Sequence, residues 1–363
     1  MNGILKTITL VLALTMAATG AGAATVAQGK KFTRPNFSPI YFLDDSADLS
    51  KFPTALEGAA PRLRSYVGAK PQSSLATAAA QISTGNGISF HGGPVMGDTP
   101  ISYYVIWYGN WSTAASNFAS AQPIIEGALR GIGGTAWSNT LTTYSTTGTQ
   151  FGQTIQNFAT STVQSLIVNF DVLGPPNSPY KTNLSTSDIS DIVMYAVLHG
   201  GVVGDKTKAQ FIVLSSDDVT WSIDGTPNTW GYPNGWCGMH NHTNWGSHAG
   251  FVSQIKWAIV ANPVQEKACI SGYNYTRSPN GYVNVDAMVN ILAHEVAETI
   301  TDPLANAWYD DAGNEVGDKC SFDFGSPLSL PDGSHYNQTW GGMRFLVQKL
   351  WINSGGGSCV SGM

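Results

Sequence analysis

Charge is scarce in this chain: 12% of its 363 residues are Asp, Glu, Lys or Arg, and the formal net charge is −6. No basic stripe is present to meet a phosphate backbone, so nucleic acid is excluded as a partner. Beyond the N-terminal leader, no apolar run approaches the roughly 20 residues needed to cross a bilayer, and no membrane span is expected. The G-x-S-x-G turn of the common serine hydrolases is missing. No G-x-G-x-x-G follows a strand-like run, which leaves nucleotide cofactors without support. The four cysteines contain no C-x-x-C pair, which argues against a thiolate metal site. No repeat period is visible.

What is present begins with a leader. Lys6, an apolar run from Ile8 to Met16 and the small residues Ala21-Gly22-Ala23 read as a secretory signal peptide over residues 1–23. The expected location is therefore extracellular, with the cell wall or periplasm as variants. An even number of cysteines in an exported chain favours two disulfides. Of the three possible pairings, Cys237–Cys269 with Cys320–Cys359 is preferred, the second pinning the C-terminus to the segment after an acidic helix. Residues 24–87 mix Pro, Asp and Ser with an Ala/Ser/Gly-rich stretch and read as an irregular arm or a propeptide. Residues 88–363 remain for one domain, expected to be monomeric.

Within that domain, "ISYYVIWYG", "VQSLIVNFDVLG", "AQFIVLSSDD" and "IKWAIVANP" read as buried strands. "ASAQPIIEGALRGIGG" and "STSDISDIVMYAVLHGG" read as helices, the second capped by Ser or Thr and stopped at Gly200. Strands alternating with helices predict an α/β (α+β) domain around one mixed sheet. "GMHNHTNWGSH", with His240, His242 and His248, is read as a surface loop, although it could supply a metal ligand.

The segment that carries chemistry is "YVNVDAMVNILAHEVAETITDP". Asn284 is the expected N-cap, Asp286 complements the helix dipole, and Pro303 closes the helix. Val285, Met288, Val289, Leu292 and Val296 form an apolar face. His294, Glu298 and Asp302 share another face, one turn apart. The pattern is H-E-x-x-E, where zinc hydrolases usually carry H-E-x-x-H. Only six Glu occur in the chain and two fall in this turn, so chance placement is a poor explanation. Glutamate ligates zinc, so His294 and Glu298 are expected to hold one zinc ion, with Glu295 as general base. "WYDDAGNEVGDKC" offers a third ligand, Asp318 before Glu315, and Asp302 is expected to orient a ligand from behind. Asp302, Asp310, Asp311, Glu315 and Asp318 could instead hold calcium, although the spacing is not that of an EF-hand.

"FHGGPVMGDTPISYYVIWYGNWS" resembles the opening of the EXORDIUM-like, phosphate-induced protein family, and "FIVLSSDDV", "GWCGMH", "WAIVANP", "VNVDAMVNILA" and "TDPLANAWY" continue the resemblance in order. In plants that resemblance implies extracellular, wall-associated proteins linked to growth, without an established enzymatic activity. The chain departs from the plant pattern at His294, Glu295, Glu298 and Asp302-Pro303, and looks like a microbial branch carrying a metallopeptidase-like helix. Two functional expectations follow. One is a secreted zinc-dependent hydrolase, a metallopeptidase acting on peptide or protein substrates. The other is a non-catalytic extracellular protein that meets wall polysaccharide through some of its eleven Trp and its Tyr residues.

Overall fold

The longest β-branched and aromatic run, Ile101–Tyr108 (β1), lies at the centre of an eight-stranded sheet. The structure is a computed structural model that describes residues 87–97, 100–146, 154–202, 205–222, 236–245, 253–264 and 267–363, with short strands at Lys30–Phe32, Ile40–Phe42 and Arg64–Val67. The expected leader (1–23), most of the expected arm (24–87) and His248 lie outside the described residues.

β1 pairs in parallel with Thr160–Val168 (β2) on one side and with Ala209–Ser215 (β3) on the other. Trp236–Trp245 (β4) and Ser253–Val260 (β5) follow. β5 runs parallel to β3, and β4 runs antiparallel to β5. The sheet is therefore mixed, as the alternation of strands and helices implies. Alternate residues of each strand point to opposite faces. Tyr103, Val105 and Trp107 pack with the helix Phe118–Gly131 (α1) and the helix Val283–Thr301 (α3). Tyr104, Ile106 and Tyr108 pack with Thr186–His199 (α2) on the other face. Three layers result, with α3 inside the larger core cluster.

The two disulfides are Cys237–Cys269 and Cys320–Cys359, the preferred pairing. The first fixes the start of β4. The second fastens the chain after α3 to the C-terminal hairpin of Leu350–Ile352 and Ser358–Val360. That C-terminal region covers α3 with Trp340, Phe345, Val347, Leu350 and Trp351, all buried. No helix among the described residues is long and apolar enough to cross a membrane.

Two local expectations need correction. The helix begins at Val283 with Tyr282 at its N-cap and no side-chain cap, so Asn284 lies inside the first turn. Asp286 does the local work: it accepts from Ser278 Oγ (2.5 Å), Asn280 N (3.1 Å) and Asn280 Nδ2 (2.5 Å). It thereby ties the preceding loop to the helix start. The "GMHNHTNW" segment is strand β4, not a surface loop, because its pairing with β5 buries His240 and Asn241.

Candidate metal centre

From Met288 to Thr301 every residue of α3 is buried, so its polar side chains have no solvent to face. Buried polar groups must find internal partners, and here they converge. His294 Nε2 lies 3.0 Å from Glu298 Oε1, one turn along the helix. Asp318 Oδ1 lies 3.6 Å from the same nitrogen. The other oxygen of Glu298, Oε2, lies 3.7 Å from His240 Nε2, which in turn lies 2.9 Å from Glu315 Oε2. Two donor sets result, His294/Glu298/Asp318 and His240/Glu298/Glu315, each with its donor atoms all within 4.8 Å of one another.

Those separations are the right size for a bound ion. Zinc bonds of about 2.0–2.1 Å in tetrahedral geometry place neighbouring donors roughly 3.3 Å apart. The four distances scatter about that edge length.

Both sets depend on the turn after α3 coming close to the helix. Glu315 N donates to Asp318 Oδ2 (3.0 Å), and Asp318 N donates to Glu298 Oε1 (3.1 Å). Trp351 N donates to Val316 O (3.0 Å), and the Cys320 disulfide holds the end of the turn. Gly317 permits the approach: a Cβ there would sit 2.6 Å from His294 Nδ1 and 3.0 Å from Glu298 Oε1. Gly238 plays the same part on β4, where a Cβ would fall 2.6 Å from Glu295 Oε1. Two glycines thus let two separate segments close on one helix.

Glu295, the expected base, is wholly buried, and neither of its oxygens makes a hydrogen bond. Burial raises its pKa well above the ordinary carboxylate value, and the charges of Glu298 and Asp318 add to the rise. Burial also lowers His294 to about 4, against an opposing pull from Asp318 and Gln348. A neutral imidazole is the form that ligates metal.

Gln348 sits behind His294. Its Nε2 donates to Gly317 O (2.8 Å) and lies 3.0 Å from His294 Nδ1, while Oε1 makes no hydrogen bond. In this arrangement Nδ1 accepts, and the neutral ring carries its proton on Nε2. To hold a cation at Nε2, His294 would carry its proton on Nδ1, with the Gln348 amide turned so that Oε1 accepts it.

The remaining acidic residues are engaged in local structure. Asp302 Oδ1 accepts from Asn306 N (2.6 Å) and Ala307 N (2.7 Å), organising the exit from the helix. Asp310, offered as a calcium ligand, accepts from Ala312 N, from Asn314 N and Nδ2, and from Lys319 Nζ (3.0 Å). A lysine there supplies the positive charge that calcium would bring.

Reading the sequence alone undervalued His240 and overlooked Gln348. His240 is 54 residues before His294 and reaches it only through sheet pairing. No apolar-polar alternation in "CGMHNH" marks it as a strand, so residue order gave no signal for His240. Gly238 and His240 share a face.

Residues 88–361 match the profile described as "Phosphate-induced protein 1 conserved region". The chain belongs to that family. It is similar to Protein EXORDIUM-like 5 of Arabidopsis thaliana, 26% identical over 291 residues, covering 73% of this chain and 75% of that protein. Similarity to Protein EXORDIUM-like 3 of the same plant is also 26% over 291 residues, covering 73% of this chain and 80% of the relative. No solved structure is significantly similar to the chain. The matched range of this chain contains β4, α3 and the turn after it.

Proposed function

We propose that this chain is an extracellular, wall- or matrix-associated member of its family whose core is organised around a zinc ion at His294, Glu298 and Asp318. The observation that carries this reading is closure. The side chains of His294, Glu298 and Asp318 are 0%, 1% and 9% exposed. Structural zinc normally takes four protein donors and catalytic zinc three, so it is the burial of these three donors, not their number, that favours an organising role. Extracellular placement is supported by two disulfides, which persist in oxidising compartments, and by the leader-like N-terminus. Trp107, Trp111, Trp137, Trp221, Trp257, Trp340 and Trp351 are buried and so do not serve a polysaccharide surface. That contact falls instead to Tyr273 and Tyr275, which are exposed.

Metal analysis of the purified protein after dialysis against zinc tests the reading. Wild type should retain zinc and Glu298→Ala should not. Wild type without zinc would end it.

Hydrolysis is the second reading, favoured by Glu295. Zinc supplies Lewis acidity when bound. Glu295 has uncommitted oxygens, and a cation beside it would offset the burial that raises its pKa, leaving the ionised carboxylate to take a proton from water at Oε1 or Oε2 and return it to a leaving amine. Asp318 is the most exposed of the three ligands and marks the side from which a peptide would enter. Glu295→Gln should keep zinc yet abolish cleavage of a peptide library. No cleavage by zinc-loaded wild type removes this reading and leaves the structural one in place.

A further inference from the structure

We propose that His240, Glu315 and the Oε2 atom of Glu298 form a second cation position, so that the cluster is a dinuclear centre bridged by Glu298. The proposal rests on the zinc reading of the first position and extends it. Three observations carry it.

The first is the division of the Glu298 carboxylate. Oε1 faces His294 at 3.0 Å, while Oε2 faces His240 at 3.7 Å. Each oxygen therefore belongs to a different histidine and a different second carboxylate, Asp318 or Glu315. Among the described residues Glu298 alone belongs to both donor sets. One ion would need both histidines within a single tetrahedral edge, and the two sets do not merge. A bridging carboxylate suits two ions about 3.5–4 Å apart, the usual separation in two-metal sites.

The second observation is charge. Glu295, Glu298, Glu315 and Asp318 place four carboxylates in one buried volume, where uncompensated charge is costly. Lys319, the neighbour of Asp318, is bonded to Asp310 (3.0 Å). One divalent ion leaves part of the charge of this cluster uncompensated, and a second offsets the remainder.

The third is Glu295 itself. It is fully buried, has no hydrogen bond at either oxygen, and lies against Gly238. Gly238 and His240 are two positions apart on the same face of β4. An uncommitted buried carboxylate therefore lies between β4 and the shared residue Glu298, three positions along α3.

The ligand class is a divalent transition metal taken by mixed nitrogen and oxygen donors; zinc is the first candidate and manganese the alternative. The test is metal counting by native mass spectrometry on full-length mature protein, stripped with chelator and reloaded with zinc alone. Two ions per chain are expected in wild type, and one in His240→Asn. If wild type and His240→Asn both hold one ion, the second position is overturned while the first stands. If wild type holds none, both readings fall. Because His240→Asn can also disturb β4, cobalt(II) titration of the wild-type protein provides a second measurement. The spin signal should grow with the first equivalent and be attenuated by coupling as the second binds. Uptake that saturates at one equivalent overturns the proposal without any variant.

Discussion

Helices α2 and α3 pack on opposite faces of one sheet and solve the burial of polar residues differently. α2 keeps a wet face. Ser187 is exposed, while Asp188, Ser190 and Asp191 are half-buried, and its start carries a full capping box between Ser185 and Asp188. α3 has no wet face after Ala287 and no side-chain cap, yet carries His294, Glu295 and Glu298 in its middle. On α2 polarity serves solvent and capping. On α3 the same residue types are held inside the core, where they cost stability unless something compensates them. The contrast teaches where to look for function: polar residues on a helix with no route to water are retained for a partner.

The largest effect belongs to Glu298→Ala, which removes the carboxylate common to both donor sets. Bound zinc should fall below detection by plasma mass spectrometry, and the chelator sensitivity of the melting temperature should disappear. Next comes Gln348→Leu, which removes the group set against His294 Nδ1. Zinc affinity should drop roughly 10–100-fold, the usual cost of losing a partner that orients a metal-binding histidine. Competition with a fluorescent chelator reads it, and an unchanged affinity would remove Gln348 from the site.

Glu295→Gln sets a pH test on the metal-free protein. Burial raises the folded pKa of Glu295 well above its ordinary value of about 4.5. Above pH 4.5 the unfolded chain releases this proton while the folded chain keeps it, so stability is lost as pH rises through that window. The Gln variant has no such loss. In the presence of chelator it should melt with wild type near pH 4 and above it at pH 8. Equal melting at both pH values would show that burial does not hold the proton on Glu295. The smallest effect is expected on the other helix, where Ser185→Ala should cost about 1 kcal/mol of stability and leave zinc content unchanged.

Much of this architecture is legible from residue order because its causes are local. The β-branched and aromatic run at Ile101–Tyr108 has no polar face and becomes a central strand. Gly200 ends α2, and the Pro303 stop leaves Asp302 at the C-cap of α3. The spacing of His294 and Glu298 puts both on one side of any helix. Asp318 and Glu315 were within reach because a short segment tied by a disulfide cannot wander far. His240 was harder, since its position depends on β4 pairing with β5, a contact that residue spacing does not encode. A strand whose inward polar residues face a polar cluster loses the alternation by which strands are recognised. The start of α3 was misplaced for a related reason. Asp286 binds back to Ser278 and Asn280, so the loop is fixed by a residue inside the helix rather than by an N-cap.

The central claim is that the polar interior of α3 is a metal centre. Anomalous diffraction at the zinc edge from crystals of the zinc-loaded protein tests it directly. A peak is expected about 2.0–2.2 Å from His294 Nε2, Glu298 Oε1 and Asp318 Oδ1. Zinc bound only at surface residues, with no peak beside His294, would contradict it.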